Sequence, residues 1–189
     1  CVIAQPVTQQ ADFGVLLLHT EGYSTMCGHA IIAVSKAAVV TGMVKAEKDL
    51  TRIVIDTPAG QVTSWARVED GDVTSVFFHN VPSFLYRKDR TVTVSGLGTI
   101  TYDIGFGGAF YAYVSAAEAG VVMTPAGFRE LIDKGMRIKE AVAEKERLVH
   151  PFEDDLNFLY GTIFYGSPHS EKADSRNVCV FADGEVDRS

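Results

Sequence analysis

The stretch Glu21-Gly22-Tyr23-Ser24-Thr25-Met26-Cys27-Gly28-His29-Ala30-Ile31-Ile32-Ala33-Val34-Ser35-Lys36-Ala37-Ala38-Val39-Val40 decides how the chain is read. Phe13 to His19, just before it, is a short apolar run of strand length. Glu21 to Thr25 has the residues of a turn. Gly28 to Val40 is apolar nearly all round, which predicts a buried helix with Gly42 as its stop. A thiol, Cys27, stands where turn becomes helix. The first amides of a helix have no partner within it, and with the helix dipole they favour an anion. A thiolate is such an anion. Gly28 leaves room for a ligand, and the same amides could hold a carboxylate. The competing reading is a buried packing cysteine, as many free cysteines are.

Strand patterns lie on both sides of this helix. Ile53 to Ile55 leads into the turn Asp56-Thr57-Pro58-Ala59-Gly60. Val62 to Val68 alternates, Asp70-Gly71 signals a hairpin, and Val73 to Phe78 returns before Asn80-Val81-Pro82. A second unit begins near residue 90. Thr91 to Val94 and Thr99 to Ile104 form a hairpin around Gly96-Leu97-Gly98, and Phe110 to Val114 is a further strand. Thr124-Pro125 predicts a helix start. Phe128, Leu131, Ile132, Ile138, Ala141 and Val142 make the apolar stripe of that helix. Strands follow over 157–164 and 177–182, joined by a polar loop from Gly166 to Arg176. The expected class is α+β. Two similar units meet within residues 85–92, with 1–88 as most of a first lobe and 89–189 as part of a second.

Composition narrows the function. The 189 residues are 47% hydrophobic, enough to bury a sizeable core. A formal net charge of -7 argues against nucleic acid, which is bound by clustered Lys and Arg. The three cysteines, Cys1, Cys27 and Cys179, are too few and too spread for a disulfide framework. No apolar run approaches the length of a membrane span. The start shows no signal-peptide pattern, so a reducing cytoplasmic setting is expected. The first residue is Cys and the last are Asp187-Arg188-Ser189, so we expect a segment of something longer.

Other candidates have bland readings. His19, His79, His150 and His169 lack metal spacing, and Cys27 and His29 with Cys179 fall short of a zinc set, so no metal is expected. Cys179, between Val178 and Val180, reads as strand packing. Glu153-Asp154-Asp155 reads as a solvated loop. Gly105-Phe106-Gly107-Gly108 lacks the spacing of a dinucleotide loop and reads as tight turning. Tyr111 and Tyr113 follow an ordinary strand alternation.

The segment from Glu21 to His29 resembles the first catalytic loop of the proline racemase family. Asp56 to Gly60, Asn80 to Tyr86, Asp103 to Phe110, and Asn177 to Phe181 running on to Asp187-Arg188-Ser189 resemble further family landmarks in the same order. The resemblance covers essentially the whole chain. It implies a fold like diaminopimelate epimerase: two pseudo-symmetric lobes, each a mixed or antiparallel sheet around a central helix, with the active site between them. It further implies that Cys27 is a catalytic base and that Gly28 and His29 help hold the substrate carboxylate. Asp187 would meet the ring nitrogen of the substrate, and Phe181 would make an apolar contact near the ring.

The implied chemistry is removal of the α-proton of a proline-type imino acid without a cofactor. The implied partners are that small molecule and, by resemblance, a second copy in a homodimer; neither nucleic acid nor membrane is expected. In the family, Asp-Arg-Ser is followed by Pro and a second catalytic residue. With Cys there, two thiols invert the α-carbon, as in proline racemase or 4-hydroxyproline 2-epimerase. With Thr, the pattern is that of trans-3-hydroxy-L-proline dehydratase, which loses the 3-hydroxyl. Ala30, the run Asp154 to Ile163 and the run Gly107 to Ala112 lean toward the dehydratase branch. A non-catalytic imino-acid-binding protein is a remoter alternative, since fold alone does not fix function. A thiol redox protein ranks last, because no resolving cysteine lies near Cys27.

Overall fold

The apolar runs of the sequence form two sheets and the helices packed on them. The structure, a computed structural model, describes residues 1–20 and 22–187. Its strands are β1 (Val2–Ala4), β2 (Phe13–His19), β3 (Gly22–Ser24), β4 (Asp49–Thr57), β5 (Gly60–Glu69), β6 (Asp72–His79), β7 (Phe84–Val94), β8 (Gly98–Phe106), β9 (Phe110–Ser115), β10 (Leu159–Gly166), β11 (Arg176–Phe181) and β12 (Glu185–Asp187). The helices are α1 (Gly28–Val40) and α2 (Phe128–Lys145), with single 3-10 turns at Pro125–Gly127 and Asp154–Leu156.

The chain divides into two units, Cys1–Pro82 and Ser83–Ser189. The first holds a sheet ordered β1-β2-β4-β5-β6, with β3 pairing β2. The second holds a sheet ordered β12-β11-β10-β9-β8-β7. One device recurs in both. β2 and β4 are parallel and are linked through α1, whereas β9 and β10 are parallel and are linked through α2. Parallel neighbours need such a crossover, and in each unit two antiparallel strands then extend the sheet.

Both cores are apolar. Ile31, Ile53, Ile55 and Ala66 anchor the first, and Ile104, Phe110, Ile138, Phe164 and Val180 the second. Each fully buried Ile contributes about 1.5–3 kcal/mol. A buried hydrogen bond of 2.6 Å between the Ser35 and Ser64 hydroxyls ties α1 to β5. No helix among the described residues is long and apolar enough to cross a membrane.

Four details differ from the sequence reading. Helix α1 is covered on one face only: Ile31, Val34, Ser35, Ala38 and Val39 are buried, while Ile32 and Val40 are exposed. Its neighbours in the first unit are β5 and β6, so one sheet does the covering. Gly22–Ser24 is a strand rather than a turn, because it folds back onto β2 with Leu18 opposite Tyr23; Glu21 lies outside the described residues. Residues 84–94 form a single strand paired with β8 through two register shifts, and the two units divide at Pro82 and Ser83. Thr124-Pro125 starts a 3-10 turn, α2 begins only at Phe128, and that ring is therefore 49% exposed instead of joining the buried stripe.

Candidate active site

Cys27 is the N-cap residue of α1, in extended conformation at φ −144 and ψ 114. Its carbonyl accepts the first helical bond, from the Ile31 N–H at 3.0 Å, and its side chain makes no capping bond. The amides of Gly28, His29 and Ala30 therefore precede that first bond. Ser, Thr, Asp or Asn at this position would satisfy one of those amides. Here a half-buried thiol stands in their place.

Short polar contacts fix the approach to this helix start. The Ser24 hydroxyl donates to the Met26 carbonyl at 3.0 Å, turning the chain. The Ala59 N–H donates to the Thr25 carbonyl at 3.1 Å, so the turn between β4 and β5 buttresses the cysteine loop. That turn is closed by the Thr57 hydroxyl on the Gly60 carbonyl at 2.7 Å. Gly28 also has a packing reason the sequence did not disclose. A Cβ there would stand 3.0 Å from Phe78 Cζ, so the aromatic ring of β6 reaches up to the helix start. His29 is exposed on the first turn.

Asp56, in the same turn region, is structural. Its carboxylate accepts the N–H groups of Val7 and Thr8 at 2.9 and 2.8 Å and the Thr8 hydroxyl at 2.9 Å. Burial alone would raise its pKa; these bonds outweigh it and hold the group below its ordinary value. The N-terminal segment is thereby tied across β4.

Phe181 and Asp187 belong to the second unit and share one face of the hairpin β11–β12. Phe181 lies opposite Glu185, and Cys179 lies opposite Asp187, so all four point to the same side. The reverse side packs against α2. Val180 is fully buried there, and a Cβ on Gly135 would stand 2.7 Å from Val180 Cβ. The Thr162 hydroxyl donates to the Gly135 carbonyl at 2.9 Å, fixing the same junction. The structure thus groups Cys27, Gly28 and His29 at one helix start in the first unit, and Phe181 with Asp187 on one strand pair in the second.

Cys179 behaves unlike a working thiol. Burial, and then the nearby Asp187 charge, push its pKa up to about 11. Its Sγ lies 3.9 Å from Asn177 Oδ1. Among the described residues no group of three His, Cys, Asp or Glu side chains is gathered as a metal site. Gly105 to Gly108 close the tight link between β8 and β9, with Phe106 opposite Phe110 and Gly108 at φ +114.

Sequence reasoning passed over the aromatic surroundings of Phe181. Tyr160 is the extra residue of a bulge in β10, where the register with β9 shifts between Leu159 and Gly161. Its ring lies 5.5 Å from that of Phe181 and 5.6 Å from that of Tyr111. Gly161, inside the strand, allows this: a Cβ there would meet the Val180 carbonyl oxygen at 2.3 Å. A glycine inside a strand pattern is the available signal for such a bulge.

The architecture is that of an α+β protein with one mixed sheet and one packed helix in each of two units. The sequence profile described as proline racemase matches residues 1–189, and the chain belongs to the proline racemase family. A protein of Colwellia psychrerythraea named trans-3-hydroxy-L-proline dehydratase is 45% identical over 188 residues, which is 100% of this chain and 53% of that protein. One of the same name from Bacillus thuringiensis subsp. konkukian is 43% identical, over 100% of this chain and 56% of its own length. The chain thus spans about half the length of the curated relatives it matches. The crystal structure of a hydroxyproline epimerase from Agrobacterium vitis, with bound trans-4-hydroxy-L-proline, superimposes with a TM-score of 0.91 at 27% identity, over 99% of this chain and 54% of that one. A probable proline racemase from Agrobacterium radiobacter, with bound carbonate, gives 0.91 at 26%, again over 99% and 54%.

Proposed function

We propose that the protein containing this chain removes the α-proton of a proline-type imino acid with Cys27, and that its reaction is dehydration of trans-3-hydroxy-L-proline. The observation that carries the base assignment is a thiol in the N-cap position of α1, with no capping bond of its own. The dehydratase names of relatives at 43–45% identity support the substrate. In this reading the amides at the start of α1, with His29, hold the substrate carboxylate. Oriented N–H donors are what the chemistry needs, because negative charge grows on that carboxylate as the proton leaves. Cys27 takes the proton from the α-carbon. The freed electron pair forms the double bond to the ring carbon bearing the hydroxyl, the C–O bond breaks, and the departing oxygen takes up a proton equivalent to the one held by the Cys27 thiol, leaving as water and restoring the thiolate. The product is a pyrroline-2-carboxylate. Phe181 packs on the ring and Asp187 pairs with the ring nitrogen. The reaction needs no cofactor in this account, and a reducing cytoplasm suits a working thiol.

Inversion at the α-carbon is the second reading, favoured by the likeness to the epimerase structure with its bound trans-4-hydroxy-L-proline. Proton NMR of the complete protein in heavy water separates the two. L-proline, trans-4-hydroxy-L-proline and trans-3-hydroxy-L-proline are supplied singly. Loss of the 3-hydroxyproline signals with growth of a pyrroline carboxylate is the expected result. Deuterium entering the α-position of an intact ring, with the opposite isomer accumulating, would replace dehydration by racemisation or epimerisation. No exchange with any substrate would sink both.

A further inference from the structure

The corner between Phe181 and Asp187 is built in a conformation that its residue does not favour. Phe181 and Glu185 are joined through Ala182, Asp183 and Gly184, and the Gly184 N–H returns to the Phe181 carbonyl at 3.1 Å. Ala182 has φ +50 and Gly184 has φ +107. Glycine adopts such angles freely, whereas an alanine Cβ crowds the following carbonyl oxygen. A residue persists there when its surroundings fix it from several sides.

Two groups from other elements do so. The Lys139 ammonium, on α2, donates to the Ala182 carbonyl. The Ala182 N–H donates to the Tyr160 carbonyl at 3.2 Å. Both polar groups of one peptide corner are thus held, one by the helix behind the sheet and one by the bulge of the neighbouring strand. Tyr160 contributes twice, since its buried ring also lies tilted on that of Phe181. The bulge that frees its carbonyl for Ala182 is the one that aims its ring.

We infer that Lys139 and Tyr160 are positioning residues that hold Ala182 in its left-handed conformation, so that Phe181 and Asp187 meet the substrate ring together. This rests on the roles given to Phe181 and Asp187 above. Lys139 and Tyr160 act through the hairpin and need not touch the substrate.

The test uses the intact protein with trans-3-hydroxy-L-proline, reading KM, kcat and the amide hydrogen exchange of the β11–β12 hairpin. Lys139→Met should raise KM roughly tenfold with a smaller change in kcat, since it misplaces groups that contact the bound ring. Hairpin amides should exchange faster. Adding Ala182→Gly to Lys139→Met should recover most of the lost affinity, because glycine needs no outside support at that φ. Lys139→Arg should recover it as well, by restoring a donor. Tyr160→Leu should act like Lys139→Met, and more strongly than Tyr160→Phe. If Lys139→Met does not fold, Lys139→Leu serves the same comparison. Unchanged KM and unchanged exchange in Lys139→Met, with KM raised in Phe181→Ala, would overturn the inference. Unchanged KM in Phe181→Ala would overturn the role of Phe181, and with it the inference.

Discussion

The two helices of this chain are built on opposite plans. Helix α1 carries no acidic residue in its first turn and no basic residue in its last, and its cap side chain bonds to nothing in the helix. Helix α2 has Glu130 in the first turn, Lys145 in the last, and salt bridges from Lys134 to Glu130 and from Arg137 to Asp133. It also reaches outward to backbone carbonyls: Lys134 to Ala119 and Gly120, Arg137 to Ser95, Lys139 to Ala182 and Lys145 to Thr91. One helix has no charged side chain complementing its ends, while the other spends its surface on holding turns and strand ends. A helix with cations directed at four separate stretches of backbone is a brace. The difference sets the site proposed at the start of α1 against the supporting role of α2.

The sharpest way to break this contrast is at Cys27. In the intact protein Cys27→Ser should lower turnover by about 10³-fold or more, the range for removing a positioned base whose substitute is a far weaker one. The fold should stay intact, because the side chain makes no bond to the helix. Steady-state rates with circular dichroism as the folding control decide it. Substantial residual turnover would remove the base assignment and leave α1 as an ordinary apolar helix.

The sheet that α2 supports is tested inside β10. Gly161→Ala would put a Cβ against backbone, 2.3 Å from the Val180 carbonyl oxygen and 2.8 Å from Phe181 Cα. Neither can rotate away, so the β10–β11 pairing must part, at a cost of about 3 kcal/mol. Gly28→Ala, at the open end of α1, meets only the far end of the Phe78 ring at 3.0 Å and should cost clearly less. Denaturant midpoints of both variants check the ranking. Equal costs would mean that the hairpin tolerates displacement and does not need its bulge.

Those glycines mark the limit of what the sequence discloses. The strand Phe13–His19, the helix Gly28–Val40 and the Asp70-Gly71 hairpin were all legible, because each is encoded by neighbours in sequence. Asp70 and Gly71 do take positive φ, at 52 and 90, as that signal requires. Strands β3 and β12, three residues each, were not legible; they exist through pairing with β2 and β11. The thiol at the start of α1 was readable from the change of pattern at Cys27. The ring of Tyr160 beside Phe181 was not, because it depends on a register shift between strands far apart in sequence. The same holds for the half-covered state of α1. An all-round apolar sequence reports how much surface wants burial, not how much the neighbouring sheet covers.

A milder test concerns the C-terminal end of α2, at Glu146. Its carboxylate accepts the Tyr102 hydroxyl at 2.8 Å and Arg90 Nε at 3.1 Å, with Arg87 at 3.8 Å. Burial raises its pKa, but the bonds from Tyr102 and Arg90 and the two guanidinium charges outweigh it and leave the group below its ordinary 4.5. A carboxyl lowered in the folded state stabilises it fully above the unfolded value, and this is lost as pH falls through the folded one. Glu146→Gln keeps an acceptor for Tyr102 and removes the charge. It should cost about 1–2 kcal/mol at pH 7, and the difference should shrink toward pH 3. A penalty equal at both pH values would show that shape, rather than charge, matters there.

The smallest effect belongs to the solvent side of α2. Asp133 pairs with Arg137 one turn on, at 3.1 Å, but Asp133 is 63% exposed and water screens the pair. Asp133→Ala should therefore cost no more than about 0.5 kcal/mol, the usual size of an i,i+4 pair. The result still bears on the contrast between the helices. Arg137 also donates to the Ser95 carbonyl, and that bond does not need Asp133. If α2 braces the sheet through its cations, Arg137→Ala must cost more than Asp133→Ala, because only the former frees the turn at Ser95. Equal losses in the two variants would reduce those contacts to surface decoration. The stabilising part of α2 would then be its buried stripe of Leu131, Ile138 and Val142, the same plan by which α1 is held.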